Sequence, residues 1–296
     1  MGLGLLGAAF LTSSLVNILG ISRGGATSAQ FVLTGFALGL IGLAVWRAGS
    51  RLIGALQAQR GAWVARLFVG LLPLLALVVF LPYRLQITDI EAYKNRVAEG
   101  SVVEWLSFVF LLTAGALFLL TGRGQWRHRP RGVAFLFLVM GAGSLGIAME
   151  EMSWGQTIFN WGTPAYFNAV NVQHETNLHN MAPFNDYIWI ATAKIFSIIS
   201  LLILLRLALG SRLKPLSAFD ALLPSPILLA YFCLAAIIYV GVAVEKLGID
   251  VPVLVTREQE VAECLFALGV LLHACRCYLH WAARTPAALG VESDST

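Results

Sequence analysis

Apolar residues run along this chain in long blocks separated by short polar connectors, without the alternation of half-buried strands. Eight such blocks lie at 3–22, 28–46, 66–83, 102–121, 133–154, 187–207, 224–244 and 258–280. Each is about 18 residues or more, the length at which a helix crosses a hydrocarbon core about 30 Å thick. The pattern predicts an all-α fold, a polytopic transmembrane helix bundle of about eight spans. Residues 1–284 read as one transmembrane domain, with 155–186 as a lid or interfacial connector and 285–296 as a small, polar, disordered cytoplasmic tail. The first block lacks the Lys/Arg leader of a signal peptide and is expected to be retained as a span.

Composition narrows the function classes. The chain is 58% hydrophobic and 12% charged, with a mean hydropathy of +0.78, whereas soluble domains are about 25% charged. A soluble enzyme, a disordered chain and a disulfide-stapled secreted module are excluded. Cys233, Cys264, Cys275 and Cys277 lie in or beside apolar blocks and read as small buried hydrophobes. The net charge of +4 comes with no basic helix interleaved with aromatics, so no nucleic-acid partner is expected.

The cations orient the chain. Thirteen of the 20 Lys and Arg residues fall on one side of an eight-span topology, in clusters such as Arg47 to Arg66 and Arg123 to Arg131. By the positive-inside rule that side, and with it both termini, is cytoplasmic. Thirteen of the 16 acids fall on the other side or in the outer ends of spans. Topology does not require this, because Asp and Glu contribute little to orientation, so the outer face is where chemistry or binding is expected. No internal repeat and no pair of Gly/Pro-broken spans points to an inverted-repeat transporter.

Three polar constellations stand at that face. The first, Glu150-Glu151-Met152-Ser153-Trp154-Gly155-Gln156, closes the fifth span. Adjacent helical residues are rotated by about 100°, and a carboxylate in hydrocarbon costs several kcal/mol, so at least one of the two Glu must face a polar interior. The second is Asn171-Val172-Gln173-His174-Glu175-Thr176-Asn177-Leu178-His179-Asn180. If helical, it sets Glu175 and His179 at i, i+4, where a carboxylate and an imidazole reach one metal ion or one proton path. The two His are five apart, which excludes the HExxH zinc pattern. The third, Glu258-Gln259-Glu260 with Glu263 and Cys264, opens the last span; acids in a first turn also complement the helix dipole. Lys194 could neutralise a buried carboxylate, while His273 and His280 lie too deep to join the outer cluster and read as structural.

The strings EEMSWGQTIF and NVQHETNLHN, with VEWLSFVFLL ahead of them, resemble the signature segments of a widespread group of uncharacterised bacterial multi-span membrane proteins, in the pattern EExSWGQ followed by NxQxETNLHN. The likeness covers about 80 residues in the middle of the chain, and the resemblance implies a multi-pass protein of the bacterial cytoplasmic (inner) membrane. A weaker likeness is to the hydrolase superfamily of alkaline ceramidases and adiponectin receptors, which use a Ser, an Asp and His ligands for zinc. This chain departs from them because His273 and His280 are seven apart rather than paired on a late helix.

Together these features give an expectation of a metal-dependent enzyme, a hydrolase or related, acting on a lipid or membrane-associated substrate. Its catalytic candidates are Glu151, Ser153, Glu175 and His179, and its metal-ligand candidates Glu150, Glu175, His179 and Glu263. Carboxylates with one or two imidazoles suit a divalent Zn, Mn or Fe, and a metal-free form would use Glu151 or Glu175 as base and His179 as acid. Two other classes fit the same residues: a cation- or proton-coupled transporter, and a non-catalytic assembly or regulatory subunit. The expected partner is the lipid bilayer, with lipid as a candidate substrate and any protein partner unknown.

Overall fold

The computed structural model describes residues 69–74, 101–126, 131–209, 221–248 and 258–282. The expected spans at 3–22 and 28–46, most of 66–83, both termini and the tail at 285–296 lie outside the described residues, as do Asp89, Glu91, Asp250 and the cations Arg47, Arg51, Arg60, Arg66, Arg127 and Arg129.

Among the described residues the structure is helical, without strands. The elements are α1 (Val102–Gln125), α2 (Arg131–Glu151), a 3-10 turn at Ser153–Gly155, α3 (Gln156–Phe159), α4 (Ala165–Val170), α5 (Phe184–Leu209), α6 (Leu229–Lys246), entered through a 3-10 turn at Pro226–Leu228, and α7 (Glu258–Ala282). Five of these stretches are long and apolar enough to cross a membrane: Val102–Gln125, Arg131–Glu151, Tyr187–Ala208, Pro226–Lys246 and Glu258–Ala282. They coincide with the fourth to eighth apolar blocks of the sequence. The protein is therefore a helical, polytopic membrane protein.

Local signals set the ends of α1. Ser101 is the N-cap, its hydroxyl accepting from the Glu104 amide at 3.4 Å, and the first turn carries Glu104 while the last carries Arg123, as the helix dipole favours. The end of α2 departs from expectation. The apolar block runs to 154, but the helix stops at Glu151, because Ser153, Trp154 and Gly155 take positive φ of 46°, 56° and 97°. Three successive left-handed residues cannot continue a right-handed helix, and they turn the chain sharply out of α2.

The chain divides into two compact units, one comprising Met1–Thr88, Trp189–Lys214 and Ser225–Ala262, the other Asp89–Ile188, Pro215–Pro224 and Glu263–Thr296. In the second, α1 and α2 pack through glycines. A Cβ built on Gly115 would stand 2.7 Å from Leu145 and 3.0 Å from the Gly141 carbonyl, and one on Gly141 would stand 2.7 Å from Leu119 and 3.0 Å from the Gly115 carbonyl. Small residues let the two backbones approach where lipid supplies no hydrophobic drive to associate.

Further along the same interface Phe118 stacks on Phe137 and meets the edge of His273, beside buried Ala114, Val133, Ala274 and Cys277. His273 is 2% exposed, and its Nε2 lies 3.2 Å from the Leu222 carbonyl. The Cys277 thiol donates to the Ala221 carbonyl at 3.3 Å. The two side chains thus tether the connector ahead of α6, in keeping with a structural His273.

In the first unit Tyr231 donates to the Val69 carbonyl at 2.8 Å, Phe196 meets Tyr239 edge-on, and Lys246 Nζ lies 4.5 Å from the Trp189 ring centroid. Lys194 is exposed on α5.

Candidate functional site

The two central constellations meet, but not on a helix. Residues 171–181 form a compact loop closed by an antiparallel bridge between Asn171 and Met181, with Val172 N donating to Asn180 O at 3.0 Å and Ala182 N to Val170 O at 3.2 Å. The conditional i, i+4 geometry of Glu175 and His179 therefore does not arise. His174 has a φ of 59°, and polar side chains fold the segment onto itself as in an Ω-loop. Asn171 Oδ1 accepts from the amides of Gln173 and Glu175, and its Nδ2 donates to the Asn177 carbonyl and side chain. This is the local competition by which Asn replaces helical hydrogen bonds with turns. Gln173 and Asn180 are joined through their side-chain amides.

Two fastenings hold this loop to the end of α2. At the first, Glu150 Oε2 accepts from Leu178 N at 2.8 Å, His179 N at 3.1 Å and His179 Nδ1 at 3.2 Å, while Oε1 accepts from the Trp154 indole. An ionised carboxylate offers about four acceptor sites, and here three of the four donors converge on Oε2. At the second, Ser153 Oγ donates to Glu175 Oε2 at 2.5 Å, and Asn177 Nδ2 donates to Ser153 Oγ at 3.1 Å and to Glu175 Oε2 at 3.0 Å. A third line runs through Gln156, whose Oε1 accepts from Thr176 N at 2.8 Å and whose Nε2 donates to Thr163 Oγ1 at 2.7 Å; Thr163 in turn donates to the His174 carbonyl.

The neighbouring carboxylates Glu150 and Glu151 serve different partners. Glu151 turns toward α7, where a carboxylate oxygen of Glu263 lies within 4.8 Å of one of its own. Glu260 stands one turn earlier on α7 and is buried, as is Glu104 at the start of α1. The four expected metal ligands have different nearest partners. Glu150 and His179 pair with each other, Glu175 pairs with Ser153, and Glu263 pairs with Glu151.

Of the expected catalytic residues, Ser153 is 1% exposed and gives its only proton to Glu175. His179 is different. A carboxylate only accepts, so the proton on the shared bond belongs to Nδ1, and Nε2 has no hydrogen-bond partner among the described residues. The side chain is 39% exposed. When the ring is neutral, this bond leaves Nε2 as the unprotonated nitrogen, which suits proton abstraction or metal ligation.

Sequence reasoning picked out Glu150, Ser153, Glu175 and His179 but missed the organising roles of Gln156, Asn171 and Asn177. The three Asn spaced through 171–180 were the available signal, since this residue type builds turns by bonding to nearby backbone. Comparison of the chain with protein-family models, with curated proteins and with solved structures found no match.

Proposed function

We propose that this chain is a membrane-embedded enzyme, a hydrolase or related, that uses His179 Nε2 as general base toward a lipid or membrane-associated substrate at the outer face. The observation that carries the reading is the Glu150–His179 pair: Nδ1 at 3.2 Å from a carboxylate, with the opposite ring nitrogen unengaged among the described residues. In this mechanism His179 Nε2 takes a proton from water as the water oxygen bonds to the electrophilic centre of the scissile bond, Glu150 stabilises the imidazolium that forms, and the imidazolium returns the proton to the leaving group as that bond breaks. Ser153, Glu175 and Asn177 act as positioning residues that hold the loop carrying His179. The proposal includes an eight-span topology with cytoplasmic termini, membership of the bacterial group whose signature the motifs resemble, and residence in the bacterial cytoplasmic membrane.

The test uses purified protein in liposomes of mixed phospholipids, with products followed by lipid mass spectrometry. General acid–base groups contribute about 10²-fold or more, so His179→Ala is expected to lower product formation by at least that factor while the protein remains folded. Turnover by the unsubstituted protein no greater than in protein-free liposomes, or equal turnover by His179→Ala, overturns the reading.

A second reading is favoured by the approach of Glu151 to Glu263. Two carboxylates within 4.8 Å at a membrane-helix end are stabilised by a proton or a divalent cation between them, as a metal-dependent enzyme or a cation-coupled transporter would use. Elemental analysis of the purified protein checks this: near-stoichiometric Zn, Mn or Fe, lost in Glu151→Gln and Glu263→Gln but kept in Glu150→Gln, supports it. No metal above background removes the metal-dependent form.

A further inference from the structure

The segment between α2 and α5 has an unusual surface. No Lys or Arg occurs between Arg131 and Lys194, and the only acid within 152–183 is Glu175, whose carboxylate is engaged by Ser153 and Asn177. What the segment exposes instead is aromatic. Phe159 is 71% exposed and Tyr166 65%, and Phe184 and Tyr187, where the segment enters α5, are 63% and 69%. Phe159 and Trp161 stack at 5.8 Å with an interplanar angle of 13°, so the exposed rings include an ordered pair.

We infer that this connector is immersed in the lipid head-group layer, with its exposed aromatics as the anchor. Three observations converge on that occupant. The surface is continuous along the chain with two membrane-spanning helices, so it begins and ends at one bilayer face. Its residue types are those that partition to the membrane interface, where an apolar ring and a polar edge are both satisfied. Finally, α3 and α4 are only 4 and 6 residues long, so most of their backbone N–H and C=O groups lack intrahelical partners. Such groups cannot lie in hydrocarbon, which places the segment at head-group depth and not below it. With almost no exposed charge, the association is driven by ring burial and is indifferent to lipid charge and to salt.

The inference is tested with the full chain in phosphatidylcholine liposomes, carrying a nitroxide label at Thr157→Cys or Ala165→Cys. Both positions are exposed, and both leave the aromatics in place. The unsubstituted protein sets the background from its native cysteines. Electron paramagnetic resonance compares collisions with oxygen, which partitions into lipid, and with a water-soluble nickel chelate. The expected result is several-fold greater access for oxygen than for the chelate at both sites, at phosphate depth, unchanged when anionic lipid is added or salt is raised tenfold. Chelate access equal to that of a fully aqueous label overturns the inference. So does poor access for both reagents, which would mean that a second copy or another protein covers the surface.

Discussion

Glu150 and His179 are joined twice, because one carboxylate oxygen accepts both the backbone N–H of His179 at 3.1 Å and its ring Nδ1–H at 3.2 Å. The backbone bond fixes where the residue sits, and the ring bond fixes how the imidazole is oriented. Position and tautomer therefore depend on one acid at the end of α2.

The two substitutions of this pair should separate loop anchoring from chemistry. Glu150→Ala leaves the amides of Leu178 and His179 and the Trp154 indole without their acceptor. Losing hydrogen bonds to a charged group costs about 1–3 kcal/mol, so detergent-solubilised Glu150→Ala should melt at a lower temperature and be cut faster by chymotrypsin within 171–181. His179→Ala keeps both backbone bonds and should match the unsubstituted protein in both measurements. Equal loss in the two variants would show that the ring, not the carboxylate, holds the loop.

Ser153 should be unreactive toward serine-directed reagents. Its hydroxyl is 1% exposed and donates to Glu175. A fluorophosphonate probe is therefore expected to leave Ser153 unmodified when the labelled protein is mapped by mass spectrometry. Modification at that position would reassign it as a nucleophile.

Gly155 should resist substitution more than Gly162. Its φ of 97° is unfavourable for any residue with a Cβ, and an added Cβ would lie 3.0 Å from the Trp161 ring, whereas a Cβ on Gly162 meets nothing within 4 Å. Strain of this kind costs about 1–3 kcal/mol. Thermal melts should show Gly155→Ala clearly destabilised and Gly162→Ala near neutral.

The glycine contact between α1 and α2 makes a similar contrast inside the membrane. Gly141→Ala places a methyl 2.7 Å from Leu119 and 3.0 Å from the Gly115 carbonyl, while Gly143→Ala meets nothing. Overpacking costs about 1–3 kcal/mol, so Gly141→Ala should lower the melting temperature and Gly143→Ala should not. Equal melting temperatures would mean that the helices separate without cost.

The helices were legible because the bilayer imposes one requirement, a long apolar run, and the runs at 102–121, 133–154, 187–207, 224–244 and 258–280 meet it directly. The end of α2 was less so. Met152, Ser153 and Trp154 are compatible with a helix, and only Gly155 announces the left-handed turn that begins two residues earlier. In the loop, spacing misled. Glu175 and His179 have helical separation, but Asn171 and Asn177 satisfy the local backbone from their side chains and remove the reason to form a helix. The pairing of Glu150 with residues 178 and 179 spans most of the connector and follows from no local rule.

The glycine contact of α1 and α2 also bears on how the protein is made. These helices are consecutive in the chain, and contacts of short sequence separation form early. Every residue of the polar cap, from Glu150 to Met181, emerges with or after the end of α2. The hairpin thus presents Glu150 on a platform built from local contacts, whereas the donors of residues 178 and 179 lie 28 and 29 positions further along the chain. The seating of residues 171–181 therefore depends on a helix contact made elsewhere, and damage at Gly141 acts on the helix that presents Glu150.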